Sequence, residues 1–327
     1  MAVTTTPATD DFMRLAAPYR RELVAHCYRM LGSLHDAEDL VQETYLRAWR
    51  AYDRFEGRSS LRTWLHRIAT SACLTALETR KRRPLPTGLG GPGSDPGDEL
   101  VELPEVAWLE PIPDAMITDE RSDPAAIVAA RETTRLAFVA ALQHLPPRQR
   151  AVLLLREVLK WKAAEVADAL ETTTKAVNSM LQRARAQLSQ ANPREDDAAA
   201  PLTPEQRRLL DRWVAAFEAK DVDGIVELFT ADAVWEMPPI TNWVRGADDI
   251  GRLIDTRCPA GPRDMRLIRT RANGQPAFAV YMRGPDGVFR PFHLQVLTVD
   301  GPAVRHTAAF FDVSLFPAFG LPAQLDR

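Results

Sequence analysis

Between Thr172 and Arg185 the chain sets Thr172, Thr174, Lys175, Asn178, Ser179, Gln182, Arg183 and Arg185 at short intervals, while Val177 and Leu181 face inward by spacing. Lys175, Asn178, Ser179 and Gln182 then share one helical face. Amide, hydroxyl and ammonium groups on such a face can hydrogen-bond base edges, and the two arginines can bind phosphates. This is recognition chemistry, not bond-making chemistry. The surrounding stretch WKAAEVADALETTTKAVNSMLQRARAQL (161–188) reads as two short helices joined by a tight turn, the layout of a helix-turn-helix. The threonines at 172–174 can cap the second helix and donate to phosphates.

Bond-making groups are thinly supplied. Cys27, Cys73 and Cys258 stand far apart, with no CxxC pair and no Cys/His cluster. Neither a structural zinc site nor a disulfide framework is expected, which fits a reducing cytoplasm. No metal, cofactor or catalytic residue is predicted. The start MAVTTTPATDDFMRL lacks a basic stretch followed by an apolar run, so no signal peptide is expected. No apolar run is long enough to span a bilayer, so no membrane partner is expected either.

The elements that would hold these groups follow from length, charge and periodicity. The 327 residues suggest two or three domains, and 46% hydrophobic content is ample for cores. The net charge of −3 is unevenly divided. Residues 1–83 hold 14 Lys/Arg and 10 Asp/Glu, residues 84–130 hold 1 and 10, residues 131–194 hold 11 and 5, and the remainder 15 and 19. Two basic blocks suited to phosphate backbones thus flank an acidic connector.

In the first block, Phe12, Leu15, Leu23, Cys27 and Leu31 fall near helical spacing, with Gly32 as a C-cap. A second helix, DAEDLVQETYLRAWRAYDRF, aligns Val41, Tyr45 and Trp49 opposite Asp39, Glu43, Arg47 and Arg50, with Asp36 as N-cap. A third carries the stripe Leu61, Leu65, Ile68, Ala72, Cys73 and Leu77 and ends in Arg80, Lys81, Arg82 and Arg83. Residues 84–130 lack periodicity and are rich in Pro and Gly. Leu103-Pro104, Trp108-Leu109 and Pro111-Ile112-Pro113 within them suggest a docked segment. DPAAIVAARETTRLAFVAALQHL (123–145) reads as one helix that Pro146 and Pro147 end. A second linker spans 191–204. Helical EQRRLLDRWVAAFEAKD and the strand-like runs AVWEM, MRLIRTRAN, QPAFAVYMRG, FRPFHLQVLTV and AVRHTAAFF then predict an α+β domain with a curved antiparallel sheet.

DAEDLVQETYLRAW (36–49) resembles the second helix of sigma domain 2 in the sigma-70 family, and RTWLHRIATSACLTALETRKRR resembles the helix after it. LQHLPPRQRAVLLLREV (142–158) with the helix-turn-helix resembles sigma domain 4. Two sigma domains and no others are similar to the extracytoplasmic-function (group IV) class. The C-terminal third resembles the SnoaL-like cone domain fused to some members. The expected architecture is therefore multidomain: all-α sigma domain 2 over 10–83, an acidic linker over 84–130, all-α sigma domain 4 over 131–192, and an α+β SnoaL-like domain over 203–320.

The resemblance implies a site for each part. Asp36, Glu38, Asp39, Gln42, Glu43 and Arg47 would meet the β′ clamp helices of core RNA polymerase. Arg54, Phe55, Gly57, Arg58, Ser59, Ser60, Arg62, Thr63, His66, Arg67 and Thr70 would read and melt the −10 element of promoter DNA. The face from Thr172 to Arg185 would read the −35 element, and the acidic linker would thread the RNA-exit path. Many relatives have Gly at the inter-helix turn, where this chain has Glu171, a poor left-handed residue that brings negative charge near DNA. A cone can hold a pocket, with Trp235, Met237, Trp243, His293 and His306 as candidates, although spacing supplies no acid–base pair. The reading is a cytoplasmic, non-enzymatic sigma factor whose C-terminal domain modulates activity, with a small molecule or a segment of the same chain as that domain's ligand. The alternatives are a ligand-sensing helix-turn-helix regulator and a SnoaL-type enzyme with a vestigial DNA-binding part.

Overall fold

A computed structural model describes residues 7–79, 82–89, 93–103, 105–118, 123–191 and 202–326. Arg80, Lys81, Pro104 and most of the second linker lie outside these. The chain forms two compact units, one from residues 1–83 with 115–195, the other from 84–114 with 196–327. The 84–130 connector is therefore not one independent piece. Its first 31 residues belong to the C-terminal unit and the rest to the helical one.

The helical unit begins with α1 (Pro7–Ala16), α2 (Arg20–Leu31), α3 (Leu34–Ala51) and α4 (Leu61–Thr79). The expected first helix is split by a 3-10 turn, Ala17–Tyr19, around Pro18, which cannot donate to the helical ladder. Gly32 ends α2 at φ +70°, as its C-cap position requires. The N-cap of α3 is Ser33, not Asp36: the Ser33 hydroxyl accepts from Asp36 N–H at 3.1 Å. The buried stripe of α3 is Leu34, Ala37, Val41, Thr44 and Ala48, so Trp49 stands outside it.

After the single turn α5 (Asp114–Ile117) come α6 (Pro124–Glu132) and α7 (Leu136–Leu142), where one helix was expected. Thr133 and Thr134 hydroxyls donate to the carbonyls of Ala129 and Ala130, both at 2.8 Å, and compete with the helical ladder at the break. Then follow α8 (Pro147–Leu153), prolonged by a π turn over Leu154–Val158, α9 (Ala163–Ala169) and α10 (Thr174–Ala191).

The second unit opens with α11 (Pro204–Ala219), started by a Thr203–Gln206 capping box, and α12 (Val222–Val226). A six-stranded sheet follows in the order β2-β1-β6-β5-β4-β3. Its strands are β1 (Phe229–Glu236), β2 (Trp243–Arg245), β3 (Met265–Ala272), β4 (Gln275–Arg283), β5 (Phe289–Asp300) and β6 (Ala303–Phe310), with α13 (Ala247–Arg257) between β2 and β3. The sheet is mixed, not antiparallel throughout, because β1 runs parallel to β6. One face packs Leu267, Phe278, Val280, Leu297 and Ala309 with Leu209, Trp213 and Phe217 of α11. Ala277, Val296, Ala308 and Glu236 form one row across the other face, and all four are buried.

Candidate functional site

On α3 the expected polymerase-facing side chains are only partly alike. Asp39, Gln42 and Arg47 are exposed. Glu43 pairs with Arg47 at 2.7 Å and Glu38 with Arg20 at 2.6 Å. Asp36 is largely enclosed and bound to Arg83 at 2.7 Å, so it braces α3 against the end of the following segment. Leu46 and Trp49 are 48% and 44% exposed beside Arg47. These two large apolar side chains stand exposed beside the charged row of α3. The helical spacing aligns Trp49 with Val41, but only Val41 is buried.

The expected −10 residues divide by burial. Arg54, Arg58, Ser59, Ser60 and Arg67 are exposed around a turn in which Gly57 takes φ +67°. Ser60 Oγ accepts from Thr63 N–H at 3.1 Å and caps α4. Arg62 pairs with Glu22 at 2.6 Å, and Arg58 with Glu56 at 2.5 Å. Phe55 stacks on Trp64 with ring centroids 4.7 Å apart. His66 and Thr70, by contrast, are buried in the core. Thr70 donates to the His66 carbonyl at 2.7 Å, which leaves its oxygen to accept from His26 Nε2 at 2.9 Å. Burial lowers the pKa of both His26 and His66; His66 and Arg29 lower that of His26 further, while the bond to the Arg62 carbonyl partly offsets the lowering at His66.

On α10 the expected face is continuous. Lys175, Asn178, Ser179, Gln182 and Arg183 are exposed, while Val177, Leu181 and Ala184 are buried. Thr174 is exposed and Thr172 half-buried. The cap itself is Thr173, whose Oγ1 accepts from Ala176 N–H at 3.1 Å. Arg185 bonds Glu157. Arg148 donates to the Leu170 carbonyl at 2.6 Å and satisfies the end of α9. Glu171 makes the turn at φ +49°. That region costs a residue with a β-carbon roughly 1–2 kcal/mol, whereas glycine costs about 0.5–1 kcal/mol in unfolded-chain entropy. Glu171→Gly is therefore expected to change stability by less than about 1 kcal/mol. It should also tighten binding to a duplex by removing a carboxylate near phosphates. Weaker binding across a salt titration would contradict this.

In the second unit the five pocket candidates fall on two faces. Trp235 and Met237 lie in the helix-side core. His293 shares that side: its Nε2 accepts from Gln295 Nε2 at 3.0 Å, and Gln295 Oε1 accepts from Trp213 Nε1 of α11 at 3.0 Å. This network assigns the His293 proton to Nδ1. Burial drives the pKa of His293 down to about 3. Trp243 and His306 occupy the opposite face, where Trp243 pairs in register with Glu236. His306 Nε2 lies 2.6 Å from Glu236 Oε1, an acid–base pair assembled from residues 70 apart by the β1–β6 pairing. Nothing in their spacing signals it.

The 84–114 segment is fastened along that second face and its ends. Thr87 N–H donates to Glu236 Oε2 at 3.0 Å, and Ser94 N–H to the Trp243 carbonyl at 2.7 Å. Val101 N–H donates to Asn242 Oδ1 at 2.9 Å, while Asn242 Nδ2 donates to Glu99 O at 3.1 Å. Arg257 donates to the carbonyls of Pro96, Gly97 and Asp98. Ile112 and Asn273 exchange bonds: Asn273 N–H to Ile112 O at 2.9 Å, and Ile112 N–H to Asn273 Oδ1 at 3.0 Å. Asp114 accepts from Arg271 Nε at 2.9 Å and Gly274 N–H at 2.7 Å. Leu109 and Ile112 are fully buried. These bonds satisfy part of the backbone of a stretch whose regular structure, among the described residues, is the 3-10 turn Pro86–Leu89 and the first residue of α5.

Comparison with known proteins covers most of the chain. Three family profiles match: sigma-70 region 2 over residues 15–83, sigma-70 region 4 over 135–188, and a SnoaL-like domain over 210–312. The chain is 64% identical over 317 residues to the extracytoplasmic-function RNA polymerase sigma factor SigG of Mycobacterium tuberculosis, covering 96% of this chain and 85% of the relative. It is 30% identical to SigJ of the same species, over 72% of this chain and 69% of that one. The crystal structure of SigJ superposes with a TM-score of 0.59 at 25% identity, covering 96% of this chain and 99% of SigJ.

Proposed function

Because the chain belongs to the extracytoplasmic-function sigma factors of the sigma-70 family, we propose that its SnoaL-like domain governs initiation by holding the linker between the two sigma domains. As a sigma factor it binds core RNA polymerase and directs promoter-specific initiation. The observation that carries the regulatory reading is the fastening of residues 84–114 to the C-terminal unit. A linker needed in the RNA-exit path is withheld while Asn273, Arg271, Arg257, Asn242 and Glu236 bind it. On α3 the polymerase contact comprises Asp39, Gln42, Glu43 and Arg47, extended by Leu46 and Trp49. Arg54, Phe55, Arg58, Ser59, Ser60, Arg62, Thr63 and Arg67 serve the −10 element, without His66 and Thr70. Thr172, Thr174, Lys175, Asn178, Ser179, Gln182, Arg183 and Arg185 serve the −35 element.

The work of the protein is recognition, not turnover. In its Glu236–His306 pair the second carboxylate oxygen accepts an N–H of the chain's own linker. Among the described residues no helix is long and apolar enough to cross a membrane, and the protein acts in the cytoplasm, where polymerase is. Run-off transcription with core polymerase, comparing the full chain with residues 1–200, tests the function. A promoter-dependent product is expected from both, larger for the truncated chain. No product from either would overturn the sigma assignment, and equal output would overturn the regulatory one.

A small ligand for the cone interior is a second reading, favoured by three buried groups. Trp235 Nε1, Thr307 Oγ1 and His293 Nδ1 find no hydrogen-bond partner among the described residues. Trp235 and Thr307 are register partners on the helix-side face. Such groups are costly to keep unless something accepts from them. Thr307→Val is expected to raise the stability of the free protein by about 1 kcal/mol and to abolish any stabilisation by a neutral polycyclic ketone such as fluorenone. A lower melting temperature for Thr307→Val would remove this reading.

A further inference from the structure

Asp39, Gln42 and Arg47 of α3 are exposed, but Asp36 in the first turn of that helix is not. Arg83 Nη2 donates to Asp36 Oδ2 at 2.7 Å, and the two side chains keep only 17% and 16% of their surface. The Glu43–Arg47 and Glu38–Arg20 pairs of the same helix keep 33% to 46%. Water and a partner can part such open pairs at little cost, whereas the enclosed Asp36 carboxylate is already spoken for. Arg83 is also the residue at which the chain leaves the helical unit, since Pro84 belongs to the C-terminal one. Pro84, Leu85 and Pro86 are buried. The Pro84 carbonyl accepts from Leu109 N–H at 3.0 Å, and Leu109 is fully buried. A residue before proline is confined to extended backbone, and its Cα stands about 3.8 Å from that of the proline. Anchoring Pro84 therefore leaves Arg83 little freedom to lose when it binds Asp36.

We propose that Arg83 masks Asp36 from core polymerase and that the fastened linker keeps it there, an inference that rests on the reading of the C-terminal unit as the holder of the linker. Asp36 is the one expected polymerase contact on α3 that is enclosed by its own chain. It must give up the Arg83 guanidinium before a basic group of the polymerase takes that place. The exchange lowers apparent affinity by the factor that the internal pair contributes. Once the linker is free, Arg83 is tethered to Asp36 only through the end of α4, and its effective concentration at the carboxylate falls. The state of the linker is in this way felt at the polymerase-binding helix through a single side chain.

Titration of core polymerase with variants of the full chain tests this. Arg83→Gln keeps part of the side-chain stem and removes the charge. It is expected to raise affinity roughly five- to tenfold, above the range for a fully exposed ion pair. Arg83→Lys restores a cation and should stay within about twofold of the wild type. Asp36→Asn combined with Arg83→Gln should cancel the gain, because the freed carboxylate is what the polymerase gains. An arginine with a merely structural role would instead lower affinity together with melting temperature, whatever stands at position 36. In an Asp114→Ala chain, whose linker is released, the gain from Arg83→Gln should shrink to about threefold or less. A loss of affinity in Arg83→Gln, or a gain that survives Asp36→Asn, would overturn the mask. A gain of equal size with and without Asp114→Ala would overturn its dependence on the linker. If Asp114→Ala by itself changes neither linker protection nor affinity, the regulatory reading falls and that dependence with it, while the mask stands or falls by the Asp36 comparison.

Discussion

Asp114→Ala is expected to release residues 105–114 from the SnoaL-like domain and to strengthen binding of the full chain to core RNA polymerase. The Asp114 side chain is 8% exposed and accepts from both Arg271 and Gly274. Its removal leaves a guanidinium and a backbone N–H without that acceptor. Stripping one partner from a fully buried pair costs about 3–5 kcal/mol. Arg271 keeps 37% of its side-chain surface exposed, so water recovers part of this and the loss is roughly 2 kcal/mol. If the linker must leave this site for polymerase to take it, that loss reappears as up to a thirtyfold gain in polymerase affinity. Hydrogen exchange over 109–114 gives the first readout and polymerase titration the second. Unchanged protection in the variant rejects Asp114 as a fastening point. Lost protection with unchanged affinity rejects the linker as the controlled element.

Acidification is expected to weaken both units between pH 6.5 and 5. His26, His66 and His293 are buried with folded pKa values depressed below the unfolded value of about 6.5. Below that value the unfolded chain binds protons that the folded chain refuses. Their stabilising contribution is thus complete above pH 6.5 and declines as pH falls toward the folded values. At pH 5 each histidine that stays neutral costs about 2 kcal/mol relative to neutral pH. One such term falls on the C-terminal unit. Two fall on the helical unit, where the His26 and His66 rings are 5.5 Å apart and are not independent. His293→Gln retains an acceptor for Gln295 while removing the titration. Exchange protection of β4 and β5 should then become insensitive to pH over this range. An equal loss of protection in the variant and the wild type would exclude His293 as the cause.

What could be read in the sequence was whatever repeats with a period. The α10 face was legible because Val177 and Leu181 alternate with polar positions at helical spacing. His66 and Thr70 are buried, which the sequence did not reveal because a polar side chain in a core obeys the same spacing as one on a surface. Only the distant His26 distinguishes them. Trp49 shows the converse, since an exposed apolar residue can share the spacing of a buried one such as Val41. The break at Thr133–Thr134 depends on side-chain bonds that periodicity ignores. The linker's apolar dipeptides correctly signalled docking, but its receptor residues Asn242, Arg257 and Asn273 are scattered over loops and helix ends. Glu236–His306 depends on strand register, and register is a property of the folded sheet.

The fastened linker also has a history in time. Asp114 leaves the ribosome well before the residues that bind it, Arg271 and Gly274, which follow by 157 and 160 positions. At about 5–20 residues per second, synthesis of that stretch takes roughly 8–30 s. For the second half of that interval, roughly 4–16 s for the 80 residues between Ala191 and Arg271, each new chain carries two completed sigma domains and a linker with nothing to hold it. On the proposed regulation, control of the linker begins only once residues 271–274 have been made, and a shorter nascent chain is the least restrained form of the protein.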